Sequence, residues 1–236
     1  MHIDRPDPSG LNPQKDRSLF RTSLKIALLA AGLLWLLTLA DQTFSLHFAR
    51  FGLYPRKLSG LIGILFAPLI HSGWAHLLNN TLPLLVGLSS ILYTYPQSSR
   101  RALLVIYIAS SALAWIFARP SYHIGASGFI FGVLAFLFLS GMLRRDLRSI
   151  AVSMMIWFLY ASMIWGVLPI REGTSWEMHL SGALVGIFMA FNCRSMDPVV
   201  VKKYSWEDEG VDVEDVPDWY IEAMKAETEE EKSGDK

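Results

Sequence analysis

Charged side chains are scarce in most of this chain, and the regions that lack them are strongly apolar. Charged residues make up 18% of the 236 residues, whereas hydrophobic residues make up 52%. A stretch of about 20 apolar residues is enough to cross a bilayer as a helix. A soluble domain of this length rarely holds six such stretches, so the sequence predicts an all-α membrane protein. The six predicted spans are residues 22–40, 74–94, 102–118, 127–143, 150–168 and 178–193.

Several residue types are missing from the spans, and each absence excludes a class of chemistry. The second to sixth predicted spans contain no Asp, Glu or Lys, which excludes an intramembrane protease with two aspartates and a serine–lysine hydrolase. No HExxH motif is present for a zinc enzyme. The single cysteine, Cys193, excludes an internal disulfide and is expected to be a small buried residue. The sequence therefore predicts no metal and no other cofactor.

Charge is distributed unevenly along the chain, although the formal net charge is zero. Residues 204–236 hold thirteen Asp and Glu against three Lys, so the rest of the chain is basic. With both termini in the cytoplasm, 16 of the 21 Lys and Arg lie on the cytoplasmic side of the predicted spans. Because cytoplasmic loops are enriched in Lys and Arg, this asymmetry predicts that both termini are cytoplasmic, and six spans satisfy it.

The pattern divides the chain into three parts. Residues 1–21 are expected to be a cytoplasmic N-terminal segment, residues 22–194 a six-helix membrane domain and residues 195–236 an acidic cytoplasmic tail. The first span is long enough to be a retained signal anchor. The tail is expected to be solvated, with Asp218 capping a short helix, and docking of a partner is the alternative. Its acidity argues against binding to nucleic acid or to anionic lipid.

Four polar side chains near one end of the otherwise apolar spans are candidates for chemistry. His76 and Asn80 lie in the first turns of the second span, Ser127 begins the fourth and His179 begins the sixth. Polar side chains are costly in a bilayer, so each is a candidate functional residue. At a rise of about 1.5 Å per residue, Ser127 and His179 both lie roughly 23–25 Å above the cytoplasmic basic residues. A serine and a histidine at one depth predict a nucleophile and its base, and hence hydrolysis inside a membrane.

The other polar groups suit the same chemistry. His76 and Asn80 are four residues apart on one helix face, and both can donate hydrogen bonds. With the backbone N–H groups at the head of the fourth span they would form an oxyanion hole; interhelical hydrogen bonding is the alternative. Glu172 and Glu177 are placed in the loop before the sixth span, so the histidine has no carboxylate partner at its depth. The prediction is a Ser–His dyad whose imidazole is oriented by packing or hydrogen bonds.

Two pairs of glycines four residues apart predict which spans touch. Gly128 and Gly132 lie on the fourth span beside the candidate nucleophile, and Gly182 and Gly186 lie on the sixth span beside the candidate base. Small residues at this spacing let membrane helices approach closely. Packing of the two glycine faces would therefore bring the serine hydroxyl toward the imidazole.

These residues resemble the motifs of the rhomboid intramembrane serine proteases. The resemblance covers roughly residues 20–194 and implies a six-helix rhomboid-like bundle. It implies that Ser127 is the nucleophile, that His179 is the general base and acid, and that His76, Asn80 and the Ser127 N–H form the oxyanion hole. It also implies that the substrates are transmembrane helices cut near their outer end. The matching segments are His71-Ser-Gly-Trp-Ala-His76-Leu-Leu-Asn-Asn80, Gly125-Ala-Ser127-Gly128 and His179-Leu-Ser-Gly182-Ala-Leu-Val-Gly186.

The sequence departs from the rhomboid pattern at three places. Many rhomboids carry a tyrosine four residues after the nucleophile, where this chain has Phe131, whose ring is expected to stack on the imidazole. Many carry Trp-Arg in the first loop, where this chain has Ile62 and Gly63, so membrane docking of that loop lacks this anchor. Met178 replaces the small residue that usually precedes the histidine and is expected to alter the local packing.

Two other classes of function are weighed against a protease. An inactive rhomboid-like protein would bind membrane helices for trafficking or degradation, but such relatives usually lack the serine or histidine that this chain keeps. A channel or transporter would use His76, Asn80 and His179 as a polar pathway, but that pathway does not continue into the cytoplasmic half of the spans. The cytoplasmic N-terminus and the absence of a recognisable transit peptide predict a bacterial inner membrane protein whose partners are transmembrane substrates and the lipid bilayer.

Overall fold

The structure, a computed structural model, describes residues 12–170 and 173–197. In this part of the chain the secondary structure is helical, apart from one isolated bridge between Leu53 and His123, so the all-α prediction is confirmed there. Short helical segments lie between the first two long helices, at Phe48–Phe51, Leu58–Ile62, Gly63–Phe66 and Ala67–Leu69. The long helices are α1 (Pro13–Phe44), α2 (Trp74–Thr94), α3 (Ser99–Phe117), α4 (Ser127–Arg144), α5 (Leu147–Tyr160, continued as a 3-10 helix over Ala161–Val167) and α6 (Trp176–Asn192).

Five of these helices are long and apolar enough to cross a membrane. They are α1 to α4 and the segment Leu147–Val167, which joins α5 to its 3-10 continuation. The sixth predicted span is also helical, but α6 has 17 residues. At 1.5 Å per residue its length is about 26 Å, slightly less than the hydrocarbon core of a bilayer. By length and composition, the described residues thus supply five candidate membrane spans, and a sixth crossing remains a prediction.

The N-terminal helix begins nine residues before the apolar stretch that predicted it. Asn12 caps α1, because its side-chain oxygen accepts hydrogen bonds from the N–H groups of Gln14 at 3.0 Å and Lys15 at 3.2 Å. Pro13 occupies the first helical position, where its missing N–H costs nothing. Hydrophobicity alone does not reveal this start, because the first turns of α1 are polar.

Helix α6 also begins earlier than predicted. Its first residue is Trp176, so Glu177 lies in the first helical turn and not in the preceding loop, where the sequence analysis placed it. The side chain of Glu177 is buried, with only 3% of its surface exposed. The apolar pattern does not predict this placement, because a charged side chain normally marks the end of an apolar segment.

Helix α4 lies at the centre of the described bundle, where it contacts α2, α3, α5 and α6. The two glycine pairs face each other across its contact with α6. A Cβ atom on Gly182 would overlap the carbonyl oxygen of Gly128, and one on Gly186 would overlap that of Gly132. The two backbones therefore approach so closely that no larger residue fits at either α6 glycine.

Replacing Gly182 with alanine is expected to destabilise the protein, because the added methyl group meets a backbone carbonyl that cannot rotate away. Overpacking of this kind costs about 1–3 kcal/mol. Thermal or denaturant unfolding in detergent measures the effect. Gly32→Ala is the matched control, since a Cβ on Gly32 has no neighbour within 4 Å. Equal stability of the two variants would contradict the close contact between α4 and α6.

The loop between α1 and α2 is fastened to the end of α3. The Arg56 guanidinium donates to the carbonyl oxygens of Ala118 at 2.8 Å and Ile116 at 3.2 Å. The indole N–H of Trp115 donates to the Lys57 carbonyl at 3.1 Å. The two Arg56 bonds satisfy carbonyl groups at the C-terminus of α3, which have no intrahelical partner. Although Trp-Arg is absent, the loop is therefore docked on the protein through other residues.

The Asp197 carboxylate connects the segment after α6 to the start of α3 by hydrogen bonds. Its carboxylate accepts hydrogen bonds from the N–H groups of Gln97 at 2.8 Å and Ser98 at 3.1 Å, and from the Ser98 hydroxyl. Asp197 is buried, although it lies within the predicted acidic tail. Cys193 is buried as predicted. The rest of the predicted tail, including the helix cap at Asp218, lies outside the described residues.

Candidate active site

Ser127 is the first residue of α4, and the turn that leads to it is held by the loop before α2. The N–H of Gly125 donates to the Ala67 carbonyl at 2.9 Å, and the N–H of Ala126 donates to His71 Nε2 at 3.4 Å. His71 is buried, and this burial, together with the neighbouring His76, lowers its pKa to about 4. The His71 imidazole is therefore neutral near pH 7, which leaves its Nε2 free to accept the Ala126 bond. Hydrogen bonds from the backbone of the turn before Ser127 to the loop before α2 thus hold the serine in place.

Gly125 is required in this turn for two reasons. Its φ is +113°, a backbone conformation that residues with a side chain rarely adopt. A Cβ at this position would also lie 2.6 Å from both Cε1 and Nε2 of His76. The imidazole of His76 therefore packs directly on the backbone two residues before Ser127.

His179 lies in the first turns of α6 and contacts the serine directly. Its Nε2 is 2.7 Å from Ser127 Oγ, and its Nδ1 is 2.8 Å from the carbonyl oxygen of Gly166. A carbonyl only accepts hydrogen bonds, so Nδ1 carries the proton and Nε2 is free to accept one from the hydroxyl. His179 is buried, with 8% of its surface exposed, whereas Ser127 is half-buried. This is the arrangement of a nucleophile and its base.

The imidazole plane is fixed by an aromatic ring. Phe131, one turn along α4 from Ser127, stacks on His179 with ring centroids 4.2 Å apart and planes 3° apart. The ring thus makes the contact expected of Phe131 at the position where many rhomboids have tyrosine. The Gly166 carbonyl on one edge and Phe131 on one face orient the imidazole, and none of the described carboxylates contacts it.

His76 and Asn80 lie on α2, on the side of the serine turn. The side-chain amide of Asn80 donates to the His76 carbonyl at 2.9 Å, and Asn80 is buried. The Ser72 hydroxyl lies 3.2 Å from His76 Nδ1. When Ser72 donates this bond, the ring proton is on Nε2, the atom that faces Gly125. The structure therefore gathers the first turns of α2, α4 and α6 at one end of the bundle.

Met178 is accommodated by small residues around it. Its side chain is 3% exposed and packs in a cluster with Leu53, Ala67, Ala114 and Ala118. The alanines leave the room that the longer side chain needs. The longer side chain is therefore accommodated by small residues of α3 and of the loop between α1 and α2.

Sequence reasoning missed Gly166, whose carbonyl orients the imidazole. Gly166 lies in the 3-10 continuation of α5, and its contribution is a backbone atom, so no residue type signals it. The sequence also gives no sign that Arg119 and His123, before α4, contact Glu177 and Ser175 at the start of α6. Within residues 12–170 and 173–197, no three His, Cys, Asp or Glu side chains are grouped as metal ligands would be.

Comparison with known proteins places this chain in a family. Residues 58–195 match the family model of the Rhomboid domain. Uncharacterized proteins of Mycobacterium tuberculosis and Mycobacterium bovis are each 38% identical to this chain over 170 residues, which cover 67% of this chain and 70% of the relative. An uncharacterized protein of Mycobacterium leprae is 34% identical over 176 residues, covering 67% of this chain and 66% of the relative. The match to the domain model spans more than half of the chain, and the chain therefore belongs to the rhomboid family.

Proposed function

We propose that this protein is an intramembrane serine protease that cleaves the transmembrane helices of other proteins near their outer end. The observation that carries the proposal is the 2.7 Å contact between Ser127 Oγ and His179 Nε2. The opposite nitrogen of the imidazole is held by the Gly166 carbonyl, so the nitrogen facing the serine is the basic one. Membership of the rhomboid family supports the same chemistry.

The reaction begins when Ser127 Oγ attacks the carbonyl carbon of the scissile peptide bond and passes its proton to His179 Nε2. The imidazolium that forms is stabilised by its hydrogen bond to Gly166 and by stacking on Phe131. His179 then donates the proton to the leaving amine, which releases one fragment and leaves an acyl-enzyme. Water, activated by the same nitrogen, hydrolyses the ester and restores the serine.

The oxyanion of the tetrahedral intermediate requires donors beside Ser127. The Ser127 N–H lies at the first position of α4, where helical N–H groups have no intrahelical partner. His76 Nε2 faces Gly125, and the Asn80 amide has a second hydrogen beyond the one bound to the His76 carbonyl. We assign these three groups to the oxyanion hole because donors that are already in place stabilise developing charge most effectively.

The apolar surface of the protein supports a placement in the membrane. The outward faces of α1 and α5 are apolar, with Leu29 and Phe158 among the most exposed side chains. We propose that α1 to α6 all cross the membrane, with both termini in the cytoplasm and the dyad near the outer leaflet. The relatives are mycobacterial, which supports a bacterial inner membrane. The substrates then reach the site from within the bilayer.

Labelling with a fluorophosphonate tests the proposed function on the detergent-purified protein. An activated serine reacts with the probe, so the wild-type protein is expected to be labelled and Ser127→Ala to be unlabelled. Ser140→Ala is the matched control, because Ser140 is a buried serine on the same helix. Absence of labelling in folded wild-type protein would overturn the proposal and favour a rhomboid-like protein that only binds membrane helices. Labelling that survives in Ser127→Ala would overturn the assignment of the nucleophile.

A further inference from the structure

A buried carboxylate lies beside the proposed base without contacting it. Glu177 is in the first turn of α6, two residues before His179, and its side chain is 3% exposed. Its Oε1 is 3.6 Å from Arg119 Nε and accepts a hydrogen bond from the Arg119 N–H at 3.3 Å. Removing a carboxylate from water is costly unless a partner compensates for it. This ion pair joins the segment before α4 to the start of α6.

A second connection joins the same two segments. His123 is buried, and its Nε2 is 3.0 Å from the Arg119 carbonyl, so Nε2 carries the proton. Its Nδ1 therefore accepts the hydrogen bond from the Ser175 hydroxyl. Arg119 also donates from Nη2 to the Thr174 carbonyl. We call Arg119, His123, Ser175 and Glu177 the loop clamp.

The loop clamp lies at the end of α4 and α6 where a shift of one helix relative to the other would move Ser127 away from His179. His123 precedes Ser127 by four residues, and Ser175 precedes His179 by four residues. The glycine contact between α4 and α6 sets how far apart the helix axes lie. The loop clamp adds hydrogen bonds between the same two elements at the end of the bundle that carries both side chains, where they oppose a shift of one helix along the other. Among the described residues no carboxylate contacts His179, so its position relative to Ser127 depends on the alignment of α4 and α6 together with its contacts to Gly166 and Phe131.

We propose that the loop clamp positions the catalytic dyad by fixing the axial register of Ser127 against His179. This inference rests on the proposed protease function. The four residues of the loop clamp are positioning residues, since none of them contacts the Ser127 hydroxyl or the His179 imidazole. A misplacement of about 1 Å between reacting groups can cost about 10²-fold in rate, so loss of the clamp is expected to lower kcat more than KM.

Two substitutions at His123 provide the test. His123→Asn keeps an acceptor at the position of Nδ1, whereas His123→Gln keeps a polar group only at the position of Nε2. Kinetics with a transmembrane substrate in detergent are expected to show kcat near the wild-type value for His123→Asn and about 10²-fold lower for His123→Gln, with KM unchanged in both. Ser175→Ala is expected to match His123→Gln, and the double variant is expected to be no slower than either single variant.

A variant at the opposite end of the bundle distinguishes the proposed positioning role from a purely structural role. Asp197→Ala also removes buried hydrogen bonds between two segments, so it is expected to lower the Tm without lowering the kcat of the folded fraction. The proposal is overturned if His123→Gln behaves like Asp197→Ala, or if Glu177→Gln and Ser175→Ala both keep the wild-type kcat. For any variant that folds poorly, the fluorophosphonate labelling rate of the folded fraction gives the same comparison. If the wild-type protein itself is neither labelled nor active, the proposed function has failed and not the clamp.

Discussion

Replacing His179 with alanine is expected to lower kcat for cleavage of a transmembrane substrate by about 10⁴- to 10⁶-fold, and replacing Ser127 is expected to have an equal effect. The hydroxyl is a weak nucleophile without a base 2.7 Å away, and without the hydroxyl the imidazole has no proton to accept. The two groups act as one unit, so the double variant is expected to be no slower than either single variant. Single-turnover cleavage of a model substrate in liposomes measures the loss.

The control for this prediction is a histidine elsewhere in the molecule. His47 is exposed in the loop after α1, and His47→Ala is expected to cleave at the wild-type rate. Unfolding temperatures of the variants separate a chemical loss from a loss of fold. Cleavage at a substantial rate by folded Ser127→Ala or His179→Ala would refute the dyad.

Replacing Asn80 with alanine is expected to lower kcat by about 10²- to 10³-fold, with little change in KM. The amide of Asn80 is buried and is assigned to the charge that develops on the scissile carbonyl, which is greatest in the transition state. His76→Ala is expected to show a loss of similar size. Steady-state kinetics that give kcat and KM separately are the measurement.

Asn79 offers a matched control for the oxyanion hole. It is the neighbouring asparagine on α2, but it is exposed, so Asn79→Ala is expected to leave kcat unchanged. If Asn80 only joined helices by hydrogen bonds, Asn80→Ala would lower the Tm while the folded protein kept its kcat. That outcome would remove Asn80 from the oxyanion hole and leave the dyad in place.

The helices of this protein were predictable to within a few residues where apolar stretches define them. Helices α2 and α4 begin at the predicted residues, Trp74 and Ser127. The errors lie at polar ends. Helix α1 extends to Pro13 because Asn12 caps it. Helix α6 includes Glu177 because Arg119, 58 residues earlier, pairs with its carboxylate. A hydropathy pattern reveals neither the cap nor the ion pair.

The candidate site was predictable for a different reason. Strongly polar side chains in apolar spans are costly, so the few that are present draw attention to themselves. Ser127 and His179 stood out in this way, and the glycine pairs on the same two spans predicted that they could meet. No feature of the sequence predicted that Gly166 would hold the imidazole, since every residue carries a carbonyl group.

The sequence by itself determined the all-α class, the approximate helices and the identity of the candidate catalytic residues, because each depends on local hydrophobicity and residue type. Only the tertiary structure decided what orients the imidazole, which loops hold the serine turn and where the buried charges find partners. Those features depend on contacts between residues far apart in the chain, such as His123 with Ser175 and Ser98 with Asp197. Many of them use backbone atoms that all residues share, so local sequence carries no sign of them.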